Sequence, residues 1–298
     1  MESQLYAGVE LGGTKCVVTL AGGPGEIVAQ QTIATEDSPT TLSAIAAVLD
    51  GWWVERRFVA LGIASFGPVD LDPASPGFGY ILTTTKPGWS MTDVGRRLSR
   101  PYDVPFGFDT DVNGAALAEM RWGAGRGLSD FAYVTVGTGV GVGLVVHGKP
   151  TRGIGHSEIG HIRTPRLPGD ESPSGCPFHS DCVEGLASGT GIRAALAGIP
   201  IGEAPPDHWV WDRVAHALTC MCHDLVCTTG PQRIAIGGGV PGYQPHLLTR
   251  LEPMLRASLN GYMRLPEAPI IVAPELGGQA GPLGSIALAM HARETQAA

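Results

Sequence analysis

Positive charge is scarce in this chain of 298 residues: 20 Lys and Arg stand against 28 Asp and Glu, a formal net charge of -8. A surface of that sign argues against nucleic acid and anionic membranes as partners, and it obliges any phosphate site to rely on local donors. Also missing is any uninterrupted apolar run approaching the roughly 20 residues that span a bilayer. The opening MESQLYAGVELGG has no basic segment leading into an apolar one. A cytoplasmic protein with no nucleic-acid or membrane partner is therefore expected. Cysteine is sparse too, at six. In a chain this long without a secretory signal, these are expected to be reduced thiols or metal ligands rather than a disulfide framework.

Two familiar phosphate motifs are also absent. Gly8 and Gly13 have the separation of a P-loop, but Thr14 then precedes Lys15, where a P-loop needs Lys followed by Ser or Thr. Gly237 to Gly242 spells G-x-G-x-x-G, yet Pro241 lies inside it and no clear acidic residue follows at a strand end, which argues against a dinucleotide site.

What the chain has in quantity is glycine, 43 residues, within a composition that is 43% hydrophobic and can bury a sizeable core. From Tyr6 to Gln30, apolar runs alternate with Gly-rich turns as in a strand meander, and Phe131 to Gly153 repeats the pattern about half a chain later. Between them, Thr40 to Trp53 has helical spacing, Phe58 to Ser65 reads as a strand, and VNGAALAEMRWGAG reads as a helix stopped by glycine. Strands alternating with helices predict an α/β fold, duplicated. The division expected is a smaller lobe over 1–115 and a larger one over 116–281, with a terminal helix at about 282–298 returning to the first. Asp207 to Thr229 reads as a buried helix in which Cys220, Cys222 and Cys227 act as small hydrophobes.

Three turns can offer backbone N–H groups to phosphate: Gly12-Gly13-Thr14-Lys15, Gly137-Thr138-Gly139, and Gly238-Gly239 after the strand RIAI. Each alone reads equally as a hairpin turn; the three together carry the signal. Phosphoryl transfer to an alcohol also needs a carboxylate to accept the hydroxyl proton. Asp111, where a strand becomes a helix, is the candidate, with an N-cap as its plainer role. Glu158 and His161, three apart, share a face on a helical turn, and Glu184 adds a further carboxylate suited to sugar hydroxyls.

The segment 156–185 is rich in Pro, Gly and charge and has no hydrophobic period. It carries His161, Cys176, His179 and Cys182 in the pattern H-x14-C-x2-H-x2-C. Those are zinc-type ligands at the spacing of structural sites, and four of them leave no open position. A structural Zn²⁺ is expected, tying the Glu158 turn to the Glu184 segment.

These residues resemble the ROK family of sugar kinases, nearly end to end, and within it the zinc-containing bacterial fructokinases. The likeness is carried by GVELGGTK, Gly67-Pro68-Val69-Asp70, Asp111, Val136 to Gly139, Glu158-Ile159-Gly160-His161, the zinc cluster and Glu184. It implies the actin/hexokinase/Hsp70-like (ribonuclease H-like) duplicated fold, with two lobes and an active-site cleft between them. It implies ATP with Mg²⁺, Asp111 as catalytic base, a sugar held by Gly67, Pro68, Thr110, Asp111, Glu158, His161 and Glu184, and a homodimer. Gly79 to Trp89 is similar to a fructokinase segment and favours fructose, with mannose or glucose as alternatives. Departures are Glu10 where many members have Asp, and Thr110 where the family's glucokinases have Asn, which puts glucose specificity in doubt. The family's repressors carry a DNA-binding module ahead of this region; with the first strand starting by Tyr6, a sugar-responsive regulator is the lesser expectation.

Overall fold

The structure, a computed structural model, describes residues 4–297. In chain order its main elements are β1 (Tyr6–Leu11), β2 (Lys15–Ala21), β3 (Ile27–Ala34), α1 (Ser38–Glu55), β4 (Leu61–Ser65), β5 (Tyr80–Ile81), β6 (Thr92–Asp93), α2 (Gly95–Ser99), β7 (Phe106–Thr110) and α3 (Asp111–Trp122). Then come β8 (Phe131–Val136), β9 (Val140–Val146), β10 (Lys149–Pro150), α4 (Val183–Ala187), α5 (Gly189–Leu196), α6 (Val210–Thr228), β11 (Arg233–Gly237), α7 (Gly239–Tyr243), α8 (His246–Leu259), β12 (Ile271–Val272) and α9 (Ala280–Ala297).

Among the described residues two compact units result, one formed by 4–126, 150–156 and 278–297, the other by 127–149 and 157–277. A division at 115/116 would cut α3, a single helix; the units part at Arg126 instead. Each unit has one five-stranded sheet, ordered β3-β2-β1-β4-β7 in the first and β10-β9-β8-β11-β12 in the second. The repeat extends to direction: β1 runs antiparallel to β2 and parallel to β4, as β8 runs antiparallel to β9 and parallel to β11. The repeated meanders of the sequence are thus the first hairpins of two sheets of the same order.

In the first unit, β4 (LGIAS) is buried along its whole length, as a central parallel strand requires. Helix α1 covers the sheet with Leu42, Ile45 and Leu49, spaced to share one face, and Asp37 caps it by accepting the Thr40 N–H at 2.8 Å. Helix α9 lies over β1, β4 and β7 and beside α3. Its close approach depends on a row of glycines: Gly8 pairs with Gly62, and Gly62 with Gly107. A methyl group on Gly62 would stand 1.9 Å from the Ser285 carbonyl oxygen and 2.5 Å from the Ala289 nitrogen, both backbone atoms that cannot swing away.

In the second unit the sheet is packed by side chains. Leu247, Leu251, Leu255 and Leu259, four apart along α8, join Val214, Leu218, Met221 and Leu225 of α6 in one core with Val134, Ile234 and Ile236. Helix α6 begins at Val210 rather than Asp207, because residues up to Trp209 form a turn. Of its thiols only Cys222 is buried, with burial pushing it up to about 12; Cys220 is half-buried and Cys227 exposed. The expectation of three core thiols is corrected accordingly, since the helix presents its 220 and 227 positions to its outer face.

Candidate functional site

In the first unit the parallel strands end in step. Leu11 pairs with Ser65, and Ser65 with Thr110. The loops holding Gly12 to Lys15, Gly67-Pro68 and Asp111 therefore all leave the same edge of the sheet, at the carboxyl ends of neighbouring parallel strands. Open α/β sheets bind ligands at that edge, where the strands hand over to loops and helix N-termini. The β1–β2 turn is fixed internally: the Gly12 N–H donates to the Lys15 carbonyl (3.1 Å) and the Thr35 hydroxyl to the Gly12 carbonyl (2.8 Å). Gly13, Thr14 and Lys15 are exposed. Glu10 lies just before the turn, and burial pushes its carboxyl up against the pull of the Lys15 ammonium. The sequence reading missed that Lys86 reaches this turn, donating to the Gly13 carbonyl.

At the β7–α3 junction the roles of three adjacent residues separate. Thr110 is the N-cap, its hydroxyl accepting the Asn113 N–H at 3.1 Å. The plainer role considered for Asp111 is thus held by its neighbour, and a buried Thr110 is engaged with the helix. Asp111 is the first helical residue, half-buried, with Oδ1 accepting the Val112 N–H at 2.9 Å. Asp109, which sequence reasoning passed over, is only 1% exposed. Its Oδ1 accepts from the Thr110 N–H (2.7 Å) and the Asn113 amide (2.8 Å), and its Oδ2 from Arg152 (2.7 Å). Burial pushes its carboxyl up, while Arg152, Asn113 and the Thr110 N–H favour the charged form. A buried acid with three donors, flanking a helix start, is a signal that a scan for exposed catalytic groups does not register.

The second unit repeats the arrangement. Its parallel strands β8 and β11 pair at Thr135 and Gly237, so the Gly137 to Gly139 turn and the Gly238-Gly239 turn leave one edge together. The first is held from beneath: the Gly189 N–H donates to the Gly137 carbonyl at 2.7 Å and the Thr190 hydroxyl to the Thr138 carbonyl at 2.9 Å. Gly238, at φ 96°, would bring a Cβ to 2.5 Å from the Val136 carbonyl oxygen, so only glycine fits there. Glu184 joins this edge to the segment below. Its Oε2 accepts the Val140 N–H at 3.1 Å, and its Oε1 lies 3.9 Å from His161 Nε2. Glu158 is exposed and precedes a 3₁₀ turn, Ile159–His161, in which the His161 N–H donates to the Glu158 carbonyl at 2.9 Å.

His161, Cys176, His179 and Cys182 converge, their ligand atoms all within 4.8 Å of one another. Cys176 Sγ is 3.6 Å from Nδ1 of both histidines, and Cys182 Sγ is 3.8 Å from His161 Nδ1. Tetrahedral zinc at its usual bond lengths separates sulfur from nitrogen by about 3.5 Å, so the donor set fits that ion. Without a cation, burial pushes Cys182 up to about 11, and a metal would have to displace its proton. The loop is anchored a second time by Arg213 of α6, 1% exposed, whose Nε is 3.0 Å from Asp170 Oδ2 and whose other nitrogens donate to the Gly191 and Pro173 carbonyls. Nothing in the spacing of the sequence announced this clamp.

With these elements placed, comparison with known proteins is informative. The chain is 38% identical over 297 residues to a fructokinase of Zymomonas mobilis, covering 98% of each. It is 35% identical over 291 residues to a fructokinase of Pediococcus pentosaceus, covering 97% of this chain and 98% of that one. A ROK family glucokinase from Streptomyces griseus, solved with glucose and AMPPNP, superposes with a TM-score of 0.76 at 26% identity, covering 96% of this chain and 99% of that one. The two matched sheets thus define the actin-like ATPase fold shared with these kinases. Residues 6–292 match the ROK family, and the chain belongs to it.

Proposed function

We propose that the chain transfers the γ-phosphate of ATP to a hexose, most readily D-fructose, with Asp111 as general base. The observation that carries this reading is the edge of the first sheet, where the register Leu11–Ser65–Thr110 brings a glycine turn and an acid at a helix start to the same edge, with β4 between them. Asp111 accepts the proton of the sugar's 6-hydroxyl as its oxygen attacks the phosphorus in line, and the phosphoryl group leaves ADP. Gly12, Gly13, Thr14 and Lys15, with Gly137, Thr138 and Gly139, offer donors to the phosphates, and Gly238 and Gly239 flank the nucleoside. Mg²⁺ would neutralise phosphate charge, with Glu10 a carboxylate just before the first turn. Gly67, Pro68, Thr110, Glu158, His161 and Glu184 are the residues assigned to the sugar.

Zinc, when bound by His161 Nδ1, Cys176, His179 and Cys182, supplies a structural cross-link and no chemistry. His161 then turns Nε2 toward Glu184, so that one imidazole links the metal loop to the carboxylate beneath the Gly137 turn. Fructose is favoured over glucose because the two fructokinases are 35% and 38% identical whereas the Streptomyces griseus glucokinase is 26% identical. Thr110 in place of an amide points the same way.

The test is ADP release against a panel of hexoses, together with Asp111→Asn. The expected outcome is the highest kcat/KM with fructose, and a loss of about 10²- to 10⁴-fold in kcat for Asp111→Asn with sugar binding largely kept. Near-normal turnover in that variant would remove Asp111 as the base.

A further inference from the structure

We propose that the segment Pro150 to His156 is a positioning strap, in which Arg152 sets the catalytic base Asp111 through Asp109 and His156 sets the Gly67-Pro68 loop through Val69. The proposal rests on Asp111 being the base.

In sequence the segment lies between β9 and His161, both of the second unit, yet it belongs to the first. Two of its side chains attach it there. Arg152 donates to Asp109 Oδ2 at 2.7 Å, and His156 Nε2 accepts the Val69 N–H at 3.1 Å. Arg152 and His156 are themselves paired across an antiparallel bridge, so the two attachments share one backbone ladder. They act on two of the three loops at the ligand edge of the first sheet, those following β4 and β7.

Asp109 has a purpose only as an intermediary. It is buried, so it does not meet a substrate, and its three donors bind it to the Thr110 backbone, to Asn113 on α3 and to Arg152 on the strap. Thr110 is in turn the cap of the helix whose first residue is Asp111. Residues 109 to 111 thus form a short rigid relay from the strap to the base. Loss of Arg152 leaves a buried carboxylate with an unmatched charge, which either takes up a proton or rotates towards solvent. Both outcomes shift the end of β7. A displacement of about 1 Å at a reacting group costs about 10²-fold in rate, because proximity and alignment supply much of the acceleration. His156 accepts through Nε2 and must be neutral to do so, its proton on Nδ1. It steadies the loop of Gly67 and Pro68.

The guanidinium of Arg152 is 42% exposed, so its place is open to a small solute. The experiment uses the full chain with fructose and Mg-ATP, and compares Arg152→Ala, Arg152→Lys, Asp109→Asn and the double variant Arg152→Ala/Asp109→Asn with Asp111→Asn. Arg152→Ala is expected to lower kcat by about 10²-fold with little change in the fructose KM. Millimolar guanidinium is expected to restore part of that loss, and the double variant to be no slower than the slower single one. Arg152→Lys should fall between, at unchanged Tm, and stands in for the alanine variant if that one fails to fold. In the second arm His156→Gln, which can still accept from Val69, should keep turnover that His156→Ala loses. Wild-type kcat in Arg152→Ala or Arg152→Lys beside an inactive Asp111→Asn would overturn the strap, as would a kcat loss that follows Tm and ignores guanidinium. Turnover in Asp111→Asn would instead overturn the base assignment beneath it.

Discussion

The two sheets have the same strand order and are packed by opposite means. In the first, three glycines in register let the backbone of α9 come down onto β1, β4 and β7. The corresponding rows of the second read Ala132–Ile234–Ile271 and Tyr133–Ala235–Val272, and leucines of α8 fill the space. The loops differ likewise. In the first unit the β7–α3 junction is tied by short hydrogen bonds to the buried Asp109, whereas in the second an irregular segment draws four metal-type side chains together and is anchored by the buried Arg213. One architecture thus accommodates two solutions to covering a sheet, either removing side chains until backbones touch or growing them until they interlock. The first tolerates no added atom and the second no deletion.

That contrast can be broken most directly by moving one methyl group. Gly62→Ala is expected to cost about 3 kcal/mol or more, since both clashing partners are backbone, and to appear as a large fall in Tm or loss of folded protein. Ile234→Ala in the second sheet should cost about 2–5 kcal/mol for the reverse reason, a cavity. If Gly62→Ala melts like the parent, the close-approach account of the first sheet is wrong. A smaller effect is expected from the metal loop. Cys182→Ser should abolish the expected single zinc per chain in elemental analysis, and chelation should lower Tm by the few degrees that correspond to losing about 2.7 kcal/mol of ligand stabilisation at a hundredfold excess over Kd. Retained metal in that variant would remove Cys182 from the ligand set.

The smallest effect sharpens the first unit alone. Glu294 on α9 accepts from Arg121 on α3 at 2.7 Å, and that hydrogen bond holds its carboxyl below the ordinary value of 4.5. A depressed carboxylate stabilises the fold at pH above its unfolded value and loses the contribution as pH falls through the folded one. Both partners are about half exposed, so Glu294→Gln should cost under about 1 kcal/mol at neutral pH, less at high salt, and progressively less in acid as the carboxylate is protonated. Thermal melts of the variant and parent across that range check it; a difference that persists in acid would contradict the ion pair as its source.

Much of the site could be read directly from the sequence because its parts are local. Glycine turns, the H-x14-C-x2-H-x2-C spacing and the acid at a strand-to-helix switch each lie within a few residues, and turn chemistry and ligand type are properties of short segments. Asp109 could not be read this way, because a carboxylate two residues from Asp111 gains its meaning from Arg152, 43 positions on. Lys86 on the Gly13 carbonyl and Arg213 on Asp170 were hidden for the same reason. That the units part at Arg126, beyond α3, could not be read either, because helical periodicity marks α3 but not which sheet it covers.

By itself, then, the sequence determined the alternation of strands and helices, the repeat of the opening meander and the four Cys and His side chains that converge in the 161–182 loop, since hydrophobic period, glycine placement and cysteine spacing are written along the chain. Only the tertiary structure decided that Leu11, Ser65 and Thr110 end in one line, that three distant glycines form one surface, and that Arg152, from the middle of the chain, reaches the buried Asp109 beside Asp111. Register and burial are relations between segments, and no segment contains them alone.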